Sequence, residues 1–162
     1  MNIMRLTKLI SGIAMLLSAL SISAQEQDFY EHFEDASLRL DYTFAGDCNH
    51  QAIYLRKIMR MPVWAGRRHN LEEPLLRGDG QIRVLDPESG KCLYSNSFSS
   101  LFQEWALTPE AKTTQKAFES TLQIPCPKHP VEVEVTLTDK YHKISARIKH
   151  PVAPADILIR PA

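Results

Sequence analysis

The stretch Pro130-Val-Glu-Val-Glu-Val-Thr-Leu-Thr-Asp-Lys-Tyr-His-Lys-Ile-Ser-Ala-Arg-Ile-Lys149 decides the fold class. Val131, Val133, Val135 and Leu137 alternate with Glu132, Glu134, Thr136 and Thr138. Successive side chains of a strand point to opposite faces, so strict alternation reads as a half-buried strand. Asp139-Lys140-Tyr141-His142 interrupts with polar residues, and Ile144, Ala146 and Ile148 then alternate with Ser145, Arg147 and Lys149. Two such runs across a short polar loop form an antiparallel hairpin with one apolar and one charged face. An isolated hairpin is marginal in water, so the apolar face requires a partner from the rest of the chain.

Upstream segments supply it. Leu38, Leu40, Tyr42 and Phe44 alternate with Arg39, Asp41 and Thr43 as a first strand, stopped at Ala45-Gly46-Asp47. Ile53 to Met61 fits either period; Pro62 follows closely, which favours a strand. Gln81–Leu85 and Lys91–Phe98 form a second hairpin around Asp86-Pro-Glu-Ser-Gly90, with Pro fixing φ and Gly allowing positive φ. Ser99 to Trp105 reads as a helical turn directing Leu101, Phe102 and Trp105 inward. Thr108-Pro109 reads as an N-cap and first position of a helix. Lys116–Ile124 is another strand; Pro125, Pro127 and Pro130 then force an extended crossing to the central hairpin, and Ile157–Ile159 closes as an edge strand. Gln25 to Asp35 reads as a short amphipathic turn packing Phe29, Tyr30 and Phe33 on the sheet. Six to eight short strands without a βαβ rhythm predict an all-β antiparallel sandwich, immunoglobulin-like or jelly-roll-like, with one or two short helical turns.

The chain of 162 residues has room for one domain, over residues 25–162. Residues 1–24 read as a signal peptide: Arg5 and Lys8, an apolar run from Leu9 to Leu20, and the small residues Ser21-Ile-Ser-Ala24 before Gln25. That run is shorter than the ~20 residues a membrane-spanning helix needs, so no span is expected after cleavage. The expected location is exported: periplasmic, outer-surface or secreted. Removing the leader takes away two basic residues and no acid, turning 19 basic and 19 acidic residues into a net charge of −2. No basic excess is left to follow a phosphate backbone, which argues against nucleic acid as a partner. Export permits a disulfide, but Cys48, Cys92 and Cys126 are three; one pair with a spare thiol and three buried thiols are both open.

Motifs for chemistry are sparse. No His-Glu-x-x-His occurs, and His32, His50, His69, His129, His142 and His150 are scattered singly. Cys126-Pro-Lys-His129 offers two zinc ligands with no second pair to complete them, so no metal is expected. Glu88-Ser-Gly-Lys91 lacks the spacing of a phosphate loop and reads as a hairpin turn; Gly-x-Ser-x-Gly is absent. Arg77-Gly-Asp79 reads as a loop entering a strand, and Glu132 and Glu134 as solvated charges on one outer face. Trp64, Arg67, Arg68 and His69 form the one polar-aromatic group with binding potential. Exposed, they grip a carboxylate or stack on a sugar. Packed, Trp64 plugs the end of the sandwich and the arginines pair with acids such as Glu72 and Glu73.

Phe33-Glu-Asp-Ala-Ser-Leu-Arg-Leu-Asp-Tyr42, Trp64-Ala-Gly-Arg-Arg-His69, Ser97-Phe-Ser-Ser-Leu-Phe-Gln-Glu-Trp105, Pro130-Val-Glu-Val and Asp156-Ile-Leu-Ile occur in that order. Together they resemble the N-terminal domain of the IgA-peptidase-like secreted metallopeptidases, family sixty-four of the metallopeptidases. The resemblance runs from Phe29 to Arg160. It implies a β-sandwich that precedes a zinc peptidase domain carrying His-Glu-x-x-His. The chain ends at Ala162, about where that domain is expected to begin, so no catalytic residue carries over and zinc belongs only to the other domain. The implied role is a non-catalytic accessory domain, assisting folding or presenting substrate, with the catalytic domain or a host protein or glycan substrate as partner. The alternative is a freestanding secreted module binding host protein or glycan through Trp64 to His69. An enzyme in its own right has no visible nucleophile–base or metal set behind it.

Overall fold

The computed structural model describes residues 28–73 and 77–161; the expected leader lies outside them. Eight strands appear in order: β1 Phe33–Gly46, β2 Gln51–Met61, β3 Gly80–Leu85, β4 Cys92–Phe98, β5 Lys116–Pro127, β6 Val131–Thr138, β7 Ile144–Val152 and β8 Arg160–Pro161. Residues 28–32 are helical (α1), and helix α2 spans Leu101–Ala106. The strands make two four-stranded sheets, β5-β1-β2-β8 and β4-β3-β6-β7. The expected all-β sandwich is what forms. All pairings are antiparallel except β8, which runs parallel to β2 and makes the first sheet mixed.

Alternation places the core. Leu38, Leu40, Tyr42 and Phe44 of β1 face Ile82, Val84, Val133, Val135 and Leu137 of the other sheet, all within 1% of complete burial. Bulges shift that pattern where strict alternation fails. Opposite β5, Glu34 pairs with Cys126 but Ser37 with Pro125, leaving Asp35 and Ala36 extra on β1. Through this irregularity alternation breaks down, and Phe33, Ala36, Ser37 and Leu38 are all buried. Pro125 sits at this irregularity, where a missing N–H costs little.

Several sequence expectations are corrected. β5 continues through Pro127, so the crossing to β6 is only residues 128–130. A bulge at Ser145 turns Ile144 out of the apolar face, leaving it 55% exposed. Leu101 is exposed as well: it precedes the inward ridge of Phe102 and Trp105 on α2. Ser100 is the N-cap of α2, its Oγ accepting from the N–H of Gln103 at 3.2 Å. Thr108 caps nothing; its Oγ1 is buried without a partner, and only a 3₁₀ turn follows, Glu110–Lys112, with Pro109 before it. Residues Ile157 to Ile159 form a turn, held by the Asp156 carboxylate accepting from the N–H of Leu158 at 2.9 Å, and the edge strand comes after it. Glu134 is not solvated: 5% exposed, it lies among Arg83 Nη1 at 3.3 Å, Arg147 Nε at 3.7 Å and Lys149 Nζ at 3.8 Å. Its outward position is roofed by these long stems. Glu132 alone matches the expectation, half-exposed and paired with Lys149.

Candidate functional site

The segment after β2 crosses one end of the sandwich, and Trp64 is driven into it. The indole is 4% exposed and meets the Tyr94 ring edge-on with centroids 5.7 Å apart. Its Nε1–H donates to the carbonyl of Arg67 at 3.1 Å, so burial leaves no donor orphaned. Gly66 lies flat on the indole; a Cβ there would come within 2.2 Å of a ring carbon. The Trp-Ala-Gly-Arg order is thus a local requirement: the turn closes only where the third residue has no side chain.

Both arginines are also committed. Arg67 Nη1 donates to Glu73 Oε1 at 3.2 Å, and Nη2 to the carbonyls of Leu71, at 3.2 Å, and Ser95. Its guanidinium lies 5.2 Å from the Tyr94 ring centroid. Arg68 Nη2 pairs with Asp35 and donates to the carbonyl of Trp64 at 2.9 Å, stacking over Phe29. Glu73 accepts from the N–H of Ser97 at 2.7 Å. Burial pushes its carboxyl up, but the Ser97 and Arg67 hydrogen bonds outweigh this and hold it below the ordinary range. Glu72, named as an arginine partner from sequence, is not one of these. His69 is half-buried, its Nδ1 enclosed without a partner. The structure therefore brings Trp64, Arg67 and Arg68 together as a plug over the core, with the indole closed to a ligand from solvent.

Other sequence motifs are absorbed by the fold. In Arg77-Gly-Asp79, Gly78 has φ +94° and the Asp79 carboxylate turns inward to accept from the N–H of Ser100 at 3.0 Å. Burial, only partly offset by that bond, raises the Asp79 carboxyl above its ordinary value. Asp86 Oδ1 accepts from the N–H of Ser89 at 2.7 Å, and Gly90 takes φ +71°, closing the β3–β4 hairpin as anticipated. The three cysteines are free thiols, with Cys126 buried and accepting from Arg60 Nη1 at 3.1 Å. Tyr42 Oη and His150 Nε2 are 2.8 Å apart between the sheets. Burial raises the phenol and lowers the imidazole, so the contact joins two neutral groups and is structural.

One cluster escaped the sequence reading. Asp28, Glu31 and His32 sit on the outward face of α1, with their ligand-type atoms all within 4.8 Å of one another. The signal was present: positions i, i+3 and i+4 share one helix face. It is crowded by the other acids and the rings that fill Gln25 to Asp35. Asp28 and His32 also line a concavity of about 550 Å³ with Glu72, Lys91 and Cys92. Among the described residues, no helix is long and apolar enough to cross a membrane.

Comparison with known proteins finds no match among curated ones. A family model described as Peptidase M64 N-terminus matches residues 28–149, from α1 through most of β7. That span holds six of the eight strands, most of a seventh and most of the chain, in agreement with the resemblance carried by the separated motifs: the chain belongs to the Peptidase M64 N-terminus family.

Proposed function

We propose that this chain is the non-catalytic accessory module of an exported zinc metallopeptidase of that family, assisting the folding of a catalytic domain or presenting substrate to it. The observation that carries the reading is the family match over residues 28–149, which concerns the N-terminal domain and not the catalytic one. The sequence adds support, since no His-Glu-x-x-His occurs in it. So does the site geometry: the polar-aromatic group is spent on packing. Export, with cleavage before Gln25, rests on the basic, apolar and small-residue order of the leader. A freestanding module that binds host protein or glycan through Trp64, Arg67, Arg68 and His69 has less behind it, because the indole is buried and both guanidinium groups are paired.

The test is complementation. The purified chain is mixed with the separately expressed catalytic domain of a peptidase from this family. Association, and a gain in soluble or active catalytic domain, is the expected result. Peptidase activity from the chain alone that a chelator abolishes would overturn the non-catalytic reading. Capture of immunoglobulin or mucin by the folded chain would favour the freestanding module, and capture undiminished in Trp64→Ala/Arg67→Ala would take that loop out of it.

A further inference from the structure

We propose that the chain forms a symmetric dimer by antiparallel pairing of β5 with β5 of a second copy. The two sheets have four edges, and three of them are engaged. The loop at Leu71 and Glu73 bonds to β4. β2 takes β8 at Met59 and Arg60 and also lies beside β7. The Gln103 amide bridges those two strands, donating to Gln51 Oε1 at 2.8 Å and to Ser145 Oγ at 3.2 Å. β5 is the fourth edge. Its inner side pairs with β1 in unbroken register from Gly46↔Lys116 to Leu38↔Ile124. Among the described residues, no loop or side chain hydrogen-bonds to the backbone of Lys116 to Ile124 from the other side. The devices that blunt an edge are missing from this run. It holds no proline and no bulge, and its two charges are already matched, Lys116 with Glu110 and Glu119 with Arg56.

The sequence of the strand selects a second copy as the occupant. Pro125 and Pro127 lack an N–H and end the run on one side, and Lys116 begins it on the other. The two-fold pairing that uses the whole run centres on Ser120. It sets Phe118 opposite Leu122, Glu119 opposite Thr121, Ala117 opposite Gln123 and Lys116 opposite Ile124. Even-numbered residues meet even-numbered ones, so the core side of one sheet continues into the core side of the next. Phe118 is half-buried against Phe102 and Trp105, and Leu122 of the second copy covers its open side. No like charges stand directly opposite each other, and Glu119 meets a hydroxyl. The pairing consumes the β5 edge of both copies, so the assembly closes at two and builds no fibre. The paired run is about 30 Å long at the usual rise of a strand.

Sedimentation equilibrium of the purified, untagged chain tests this. A reversible monomer–dimer equilibrium is expected between about 1 µM and 1 mM. Thr121→Glu puts a carboxylate opposite Glu119 twice in the dimer and should raise the dissociation constant about two- to thirtyfold. Thr121→Lys puts an ammonium group there and should lower it. Thr121 is exposed, so both variants should keep the far-ultraviolet circular dichroism spectrum of the parent. Ser120→Cys places a thiol at the two-fold axis and should give a covalent dimer with a short bis-maleimide. Thr43→Cys lies one strand further in, on β1 opposite Glu119, and should cross-link no more than the parent. A chain that stays monomeric up to about 1 mM overturns the proposal and leaves the β5 edge to a strand of another sequence. Association that both Thr121 variants weaken, or that neither alters, overturns it too. So does cross-linking no stronger in Ser120→Cys than in Thr43→Cys.

Discussion

At the scale of single residues, Trp64 and His150 show how a polar-aromatic side chain becomes structure. From sequence Trp64 reads either as a recognition residue beside Arg67, Arg68 and His69 or as a plug at the end of the sandwich, and the structure makes it the plug. What packs it is Tyr94, thirty positions later, and no local signal reports that distance. Truncation should be costly: Trp64→Ala is expected to lower stability by about 3–5 kcal/mol in urea unfolding. Gly66→Ala pushes a methyl into the indole and should cost about 1–3 kcal/mol by overpacking, read from the same midpoint shift. His150 gives the pH prediction. Burial lowers its folded-state pKa below the ordinary 6.5, so the unfolded chain takes up the proton first. Its contribution is complete above pH 6.5 and declines as the pH falls below that value. Carboxylates such as Asp41 and Glu73 have ordinary values of 3.8 and 4.5 and titrate lower still. Unfolding midpoints measured from pH 7.5 down to pH 5.5 should therefore fall in the parent and flatten in His150→Gln.

At the scale of elements, β4 shows how an edge strand is closed to a second chain. The N–H of Ser95 donates to the carbonyl of Leu71 at 2.9 Å, and that of Ser97 to Glu73. Returning bonds run from the N–H of Glu73 to Ser95 Oγ at 2.7 Å and from Arg77 N–H to Ser97 Oγ at 3.0 Å. A loop thereby occupies the ladder positions that edge-to-edge association needs. Glu73→Ala leaves the Ser97 donor and the Arg67 guanidinium short of a partner; it should cost about 1–3 kcal/mol and increase light scattering on heating. The strands themselves were legible because alternation is a local pattern: β3, β6 and most of β1 and β5 lie where it puts them, while the Phe33 start of β1 falls in the segment expected as a turn. The bulges were not. Whether Ser145 adds a residue to β7 depends on pairing with β6, and that pairing turns Ile144 outward.

At the scale of the whole molecule, two sheets bury a continuous layer from Phe33 to Phe44 against Ile82 to Leu137. Leu40→Ala, at the centre and fully buried, should cost about 2–5 kcal/mol, while Thr136→Ala on the other face should stay within about half a kcal/mol; paired urea curves check both. Composition, period and motif order determined the all-β class, the sandwich and the family, because each is written in spacings of a few residues or in the identity of short segments. Tertiary structure alone decided the fate of the candidate site. It buried Trp64, matched Arg67 to Glu73 and Arg68 to Asp35, and roofed Glu134 with three cations. It also set Asp28 and His32 around one concavity with Glu72 and Cys92. The physical reason is reach. Periodicity says which way a side chain points from its own strand, whereas a partner or a roof comes from elements far away in the chain that only folding brings near.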